Sequence, residues 1–364
     1  MTQKEKMITR GQLFCFMVQA QIGVGILSLP FKLNEVAQGG GALSVLIAGI
    51  ITQLAIFLLW VLLKNFPGLN LFSICLKLGG PIIGRILIIA YIGYFILLGS
   101  NIMFSAVEVL QRWMLQSTPR WTILALFSIM TIYLAREKLT VLARFFTLAT
   151  VLFVPLILFV SYGLTQAHLE FMLPLLENGF WNIMKGVQDS TISMYGFEMI
   201  LIVYPLSEGT NKQRLITISL ASGFVTLLYV FVVSTCLMVF NSEQIKMIPE
   251  PVIYLVKSLN FYIVDRADIL FLPIWAVTLV CSIVSYCYAA SIGLSVLFSR
   301  KSHKRFTPFV KIISFMIALA PVTPAGAHLF DTVTTYAAYV FIAGFSMVLL
   351  MISLFMKRKS GGSA

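Results

Sequence analysis

The sequence predicts an all-α integral membrane protein of ten transmembrane helices, arranged as two inverted five-helix repeats with the first helix of each repeat broken. Three features carry this expectation. Of the 364 residues, 59% are apolar or aromatic and 11% are charged, a balance foreign to soluble globular domains. Apolar runs of about 16 to 30 residues recur along the chain, each long enough to cross a hydrocarbon layer of about 30 Å as a helix. Two of these runs are interrupted by glycine at corresponding places in the two halves. A soluble enzyme, a nucleic-acid binder and a secreted disulfide scaffold are excluded at this point.

The runs predict spans at 11–33, 42–63, 82–111, 121–135, 144–164, 183–206, 214–240, 267–299, 307–320 and 328–356. Span 1 follows a polar start with Lys4, Lys6 and Arg10. That start has neither an early apolar region nor a small-residue cleavage site, so span 1 is expected to be retained. Lys64 and Lys77 separate spans 2 and 3, Arg112 and Arg120 separate 3 and 4, and Arg136, Lys138 and Arg144 separate 4 and 5. Lys212 and Arg214 open span 7, Arg300 to Arg305 divide 8 from 9, and Lys357 to Lys359 close span 10. With a cytoplasmic N-terminus, 19 of the basic residues, Lys311 among them, fall at inner ends and 7 at outer ones. The positive-inside rule therefore places both termini in the cytoplasm, and the net charge of +12 reads as topology rather than as a nucleic-acid surface. The five cysteines (Cys15, Cys75, Cys236, Cys281, Cys287) lie in or beside apolar runs and read as buried thiols.

Two connections are long, 165–182 and 241–266, both expected outside. In the second, Pro249 and Pro251 precede Val252, Leu255, Val256 and Leu259, the spacing of a short amphipathic helix on the outer surface, either an interfacial cover or a lid over a cavity.

Spans 6 and 7 start about 172 residues after spans 1 and 2, and spans 8 to 10 about 185 after spans 3 to 5. The third member of each half is unusually long. Five is odd, so the second copy must run upside down, giving repeat one over about 11–165 and repeat two over about 183–356 within a single transmembrane domain. Such folds interrupt the first helix of each repeat at mid-membrane. Span 1 carries Gln21-Ile22-Gly23-Val24-Gly25-Ile26-Leu27-Ser28-Leu29-Pro30, and span 6 carries Ser193-Met194-Tyr195-Gly196-Phe197-Glu198. Freed amides of a helix starting near Gly25 suit a carboxylate. Carbonyls ending near Gln21 and Ser193 suit an ammonium group. Together they describe a site for an amino-acid-sized zwitterion, against the alternative that Gly-x-Gly marks close helix packing.

Ionisable residues inside spans are functional candidates because an unpaired charge in hydrocarbon is costly. Asp189 follows Lys185 by one turn, as in an intrahelical ion pair. Glu198 begins the second half of span 6, where it either serves ligand, proton or coupling work or caps the helix. Glu108 precedes Arg112 by four residues, a structural pair. Span 8 carries Cys281, Ser282, Ser285, Tyr286 and Ser291, whose hydroxyls either meet a ligand or bond their own helix. In span 3, Tyr94, Leu98 and Asn101 share one face and form the third wall. His168, His303 and His328 are scattered and read as solvated. No nucleophile, phosphate loop or metal-ligand spacing is present in the sequence, and no cofactor is implied.

At Gln21–Pro30, at Gly93-Tyr94-Phe95 with Glu108, at Leu173–Gly179, at Tyr195–Glu198, and at Trp275 with Tyr286, Gly293 and Leu294, the chain resembles the B subunits of spore germinant receptors. The resemblance covers essentially the whole length. It implies the amino acid–polyamine–organocation superfamily and its LeuT-like fold, with a site built by broken helices 1 and 6 and by helices 3 and 8. It implies a pocket from the backbone of Gly23, Val24, Gly25 and Ile26, the segment Tyr195, Gly196, Phe197, Glu198, and Ser282 with Tyr286, a small polar residue of helix 8 falling on Cys281 or Ser282. It further implies residence in the spore inner membrane with an A subunit and a lipoprotein C subunit, and a role in sensing a nutrient, an amino acid first among candidates. A proton-coupled amino-acid transporter is the competing expectation.

Overall fold

The computed structural model describes residues 7–176, 179–258 and 266–361, with side chains described through residue 353. Glu177, Asn178 and Leu259 of the segments quoted above lie outside the described residues. Among those described, helix is the only extended regular structure. A chain whose solvent is hydrocarbon must satisfy its peptide groups internally. Helix covers most of every predicted span: α1 Arg10–Gln21, α2 Gly25–Val36, α3 Gly41–Asn65, α4 Leu71–Trp113, α5 Arg120–Ala135, α6 Leu139–Thr150, α7 Phe153–Tyr162, α8 Phe180–Ser193, α9 Ile200–Val203, α10 Asn211–Val239, α11 Ser242–Ile245, α12 Pro251–Ser258, α13 Asp268–Leu297, α14 Thr307–Leu319, α15 Pro324–Ala338 and α16 Ser346–Gly361. Among the described residues, six helical stretches are by themselves long and apolar enough to cross a membrane, and α1 with α2, bent by 51°, makes a seventh if counted as one span.

Local chemistry explains the boundaries. Thr9 and Thr210 begin α1 and α10 with reciprocal capping boxes to Gln12 and Gln213, satisfying amides that would otherwise be orphaned. The sequence expectation placed the start of the third span near 82, whereas α4 begins at Leu71, capped by the Asn70 side chain. Gly79-Gly80-Pro81 hid these extra turns, about three at 3.6 residues each: Gly80 adopts φ +67, kinking a helix that nevertheless resumes. Between α6 and α7 the helix yields at Val151–Leu152, because Pro155 offers no N–H to the Val151 carbonyl. A π-helical turn, Tyr339–Phe345, joins α15 to α16. The Phe341 carbonyl accepts instead from the Tyr91 hydroxyl (3.3 Å) and Ser346 Oγ (3.2 Å).

Packing places α13 at the centre, against α4, α5 and α1, while α10 packs on α3 and α1. Outward faces carry Ile50 and Leu54 on α3, Ile82, Ile83 and Ile86 on α4, and Ile312 and Met316 on α14, all exposed, as suits a protein with lipid for solvent. Cys75, Cys236, Cys281 and Cys287 are buried free thiols and Cys15 is half-buried. The helix expected on the outer surface, α12, is amphipathic as its spacing implies: Val252, Ile253, Leu255 and Val256 are buried against α2, α13, α10 and α7, while Tyr254, Lys257 and Ser258 are exposed. Two expectations are corrected. His303 is half-buried, its ring edge-on to Tyr288 at 4.9 Å and Nε2 3.2 Å from the Ala135 carbonyl oxygen. Lys311 is buried within α14, its Nζ 3.1 Å from Met103 Sδ, so it is no flanking charge.

Candidate functional site

The two broken helices meet at their breaks. Helix α1 ends at Gln21 and Ile22 turns extended (φ −90, ψ 108) before α2 begins at Gly25. Helix α8 ends at Ser193, and the chain turns through Gly196 at φ +119 into a short 3-10 turn, Phe197–Met199. A Cβ on Gly196 would overlap the Ala20 carbonyl, and a Cβ on Gly25 would sit 2.8 Å from Ser193 Cβ. Each break therefore rests directly on the other helix, with Gly25 packed closely on Ser193. Gly23 differs: a Cβ there meets nothing within 4 Å.

Carbonyls beside both breaks accept from the protein's own hydroxyls. Ser282 Oγ lies 2.8 Å from the Gln19 carbonyl oxygen and 2.9 Å from that of Ile22. The Tyr229 hydroxyl donates to the Ser193 carbonyl (2.9 Å). The Gln21 side chain is partly unsatisfied: it is 1% exposed, its Nε2 donates to the Met17 carbonyl (3.0 Å), and its Oε1 has no partner. The backbone amides of Val24, Gly25 and Ile26 make no hydrogen bond with other turns or loops, as expected at a helix start.

A cavity of about 420 Å³ opens from these breaks. Of the residues singled out in the sequence, Gln21, Gly23, Val24, Gly25, Leu98, Asn101, Glu108, Asp189, Ser193, Tyr195 and Tyr286 line it. Others do not. Ile26 faces a separate small apolar cavity with Phe153, Leu156 and Trp275. Ser285 Oγ donates to its own Cys281 carbonyl (2.9 Å), and Cys281 Sγ lies 3.5 Å from the Val277 carbonyl oxygen, the self-satisfied alternative for a polar helix stripe. Ser282 acts on the break from behind.

Glu198, with Tyr94, Gly196 and Phe197, is set behind the cavity wall. Its carboxylate, 2% exposed, accepts from the Tyr286 hydroxyl (2.8 Å) and the Tyr94 hydroxyl (3.2 Å) through Oε1, and from the Gly196 amide (2.8 Å) through Oε2. Among the described residues it has no cationic partner within 4 Å. Helices α4 and α13 and the span-6 break thus meet at one carboxylate. The Tyr94 ring also stacks on Phe341 of the π turn, centroids 4.8 Å apart.

Both sequence-based ion pairs are corrected. Lys185 is exposed and makes no ion pair with Asp189, which lies on the cavity wall. Glu108 pairs with Arg120 at 3.2 Å, and Arg112 with Glu250, which also accepts from Trp113 Nε1 (3.0 Å). Glu108 and Arg112 each pair with a residue from another element, while Asp189 pairs with neither Lys185 nor any other cation within 4 Å among the described residues. Sequence reasoning passed over Ser28, Lys32, Ser105, Glu250, Asp331 and Thr334, all on the cavity wall, and His328, which lines it while remaining exposed. Asp331 on the polar face of α15 was the one visible signal, an acid inside the last apolar run.

Comparisons with known proteins agree with this architecture. Among solved structures, a Na+-coupled sialic acid symporter in a substrate-bound outward-open state superposes with a TM-score of 0.63 at 14% identity, over 92% of this chain and 78% of that one. A nucleobase-cation-symport-1 family transporter, Mhp1, closed with bromovinylhydantoin bound, gives 0.62 at 13% identity over 95% and 78%. These likenesses show the fold, that of LeuT-type transporters. Among curated proteins, spore germination protein GerQB of Bacillus cereus is 23% identical over 96% of both chains. Spore germination protein YndE of Bacillus subtilis (strain 168) is 24% identical over 96% of this chain and 97% of its own. Spore germination protein B2 of Bacillus subtilis (strain 168) is 24% identical over 94% of each. A family model described as spore germination protein matches residues 7–327, and the chain therefore belongs to the spore germination protein family, with the germinant-receptor B subunits that its motifs resemble.

Proposed function

We propose that this protein is the membrane subunit of a spore nutrient germinant receptor and binds an amino acid where its two broken helices meet. The observation that carries the reading is the pairing, on one cavity wall, of an unpartnered buried acceptor, Gln21 Oε1, with the unbonded amides at the start of α2. An ammonium group satisfies the first and a carboxylate the second, and a buried acceptor left without a donor costs about 1–3 kcal/mol, which the bound ligand restores. Binding then shifts a two-state equilibrium by its differential affinity for the states, and A and C subunits in the spore inner membrane read the shift.

The test follows from Gly23. A leucine there enters open space, so Gly23→Leu is expected to leave the yield of folded protein unchanged while amino-acid binding to the full chain in nanodiscs falls at least tenfold. Unchanged affinity overturns the site. Gly25 is the poorer probe, because its neighbour Ser193 makes any substitution a packing defect.

The same reading has ten spans in two inverted repeats, 11–165 and 183–356, with both termini cytoplasmic. It is supported by the breaks at repeat-equivalent positions and by the basic-residue asymmetry. A cysteine placed at exposed Gln166 is expected to react with a membrane-impermeant maleimide from outside. Reaction only from the cytoplasmic side sinks the topology. The proton-coupled transporter is the second reading, favoured by one observation: a buried carboxylate, Glu198, whose bonds are all to neutral donors.

A further inference from the structure

We propose that the ligand of this cavity carries one net positive charge, and that Asp189 and Asp331 recognise a cationic side chain. This rests on the amino-acid reading above and narrows it to one class.

The cavity wall bears six charged side chains, Lys32, Glu108, Arg112, Asp189, Glu250 and Asp331. Glu108 is neutralised by Arg120 at 3.2 Å and Arg112 by Glu250. Lys32, Asp189 and Asp331 have no ion-pair partner within 4 Å among the described residues. One carboxylate is therefore in excess, in a chain whose net charge is +12. A cleft whose sign opposes that of the whole molecule concentrates ligands of the other charge.

The placement of the acids gives the ligand its length. Asp189 lies one helical turn before Ser193, against which Gly25 packs, so its carboxylate stands about 6 Å along α8 from the break. That is the reach of a three- or four-carbon stem of the kind lysine and arginine carry. Asp331 reaches the same cavity from α15, its Oδ1 3.4 Å from Asn101 Nδ2, and Asn101 also lines it. Lys32, two turns beyond Gly25 on α2, is near enough for its charge to act on Asp189, and the two acids together still leave one carboxylate in excess of it. An α-ammonium at Gln21 Oε1 and an α-carboxylate at the α2 amides leave the side chain directed at the two aspartates. A neutral side chain of the same length would reach them with nothing to offer, and their hydration would be lost for no bond.

Lysine and norleucine separate the possibilities, since they share a stem and differ at the terminal ammonium. Binding of each, and of glutamate, is measured to the full chain in nanodiscs at low salt, for the native protein and for Asp331→Asn and Asp189→Asn. Lysine is expected to bind about fivefold or more tightly than norleucine, the scale of a partly exposed ion pair, and glutamate more weakly than either. The ratio is expected to approach one in each variant, chiefly through loss of lysine affinity. Norleucine binding as tightly as lysine in the native protein overturns the cationic assignment and leaves the amino-acid site standing. Binding of none of the three overturns both. A lysine preference that survives both substitutions overturns the assignment to these aspartates.

Discussion

Gly196→Ala is expected to leave little folded protein in the membrane. The φ of +119 is one that side chains rarely adopt, with a cost of about 1–3 kcal/mol. The added methyl also overlaps the Ala20 carbonyl, backbone that cannot swing aside as a side chain can, and overpacking adds about 1–3 kcal/mol. Together these take a large share of a typical stability of about 5–15 kcal/mol. Monodisperse yield after detergent extraction, compared with Gly23→Ala, checks the claim. The Gly23 variant is expected to match the native protein because its Cβ meets no atom, and equal yields from both variants would show that the break is not held by contact.

Glu198→Leu is expected to be nearly as damaging by a different route. It strands three buried donors at once, the hydroxyls of Tyr94 and Tyr286 and the amide of Gly196, each unsatisfied group costing about 1–3 kcal/mol. Glu198→Gln retains one carbonyl acceptor and is expected to fold with intermediate stability. In the sensor reading the glutamine variant shifts the nutrient concentration that triggers germination, because the junction of α4, α13 and the span-6 break is loosened. Reconstituted native protein then shows no concentrative uptake under an imposed pH gradient. Saturable gradient-driven uptake that Glu198→Gln abolishes would favour the transporter instead.

The breaks were legible because their signals are local: glycine and polar residues inside apolar runs stand out without knowledge of the fold. Gly23, Gly25, Ser193 and Tyr195 are brought together as their spacing implied. What lay hidden depends on which helices touch. Ser282 was expected to face a ligand, yet it closes the end of α1 from another span. The true partners of Glu108 and Arg112, Arg120 and Glu250, lie on separate elements, beyond any rule based on helical periodicity. Lys32 and Asp331 sit near span ends, where charges ordinarily mark the membrane surface. Only the splaying of α2, α4, α8 and α15 around one cavity turns them into its wall.

One small feature near the chain's beginning has a mechanical meaning. The Ile8 amide donates to the Leu206 carbonyl and the Glu208 amide to the Ile8 carbonyl, each at 2.9 Å, so the N-terminal stretch is stitched to the far end of span 6. At the other end of the same pair, Gly196 bears on Ala20. Two half-helices fastened at both ends form a strut, and a strut transmits displacement without absorbing it. A rotation at the breaks would therefore be carried along the pair to residues 7 to 10.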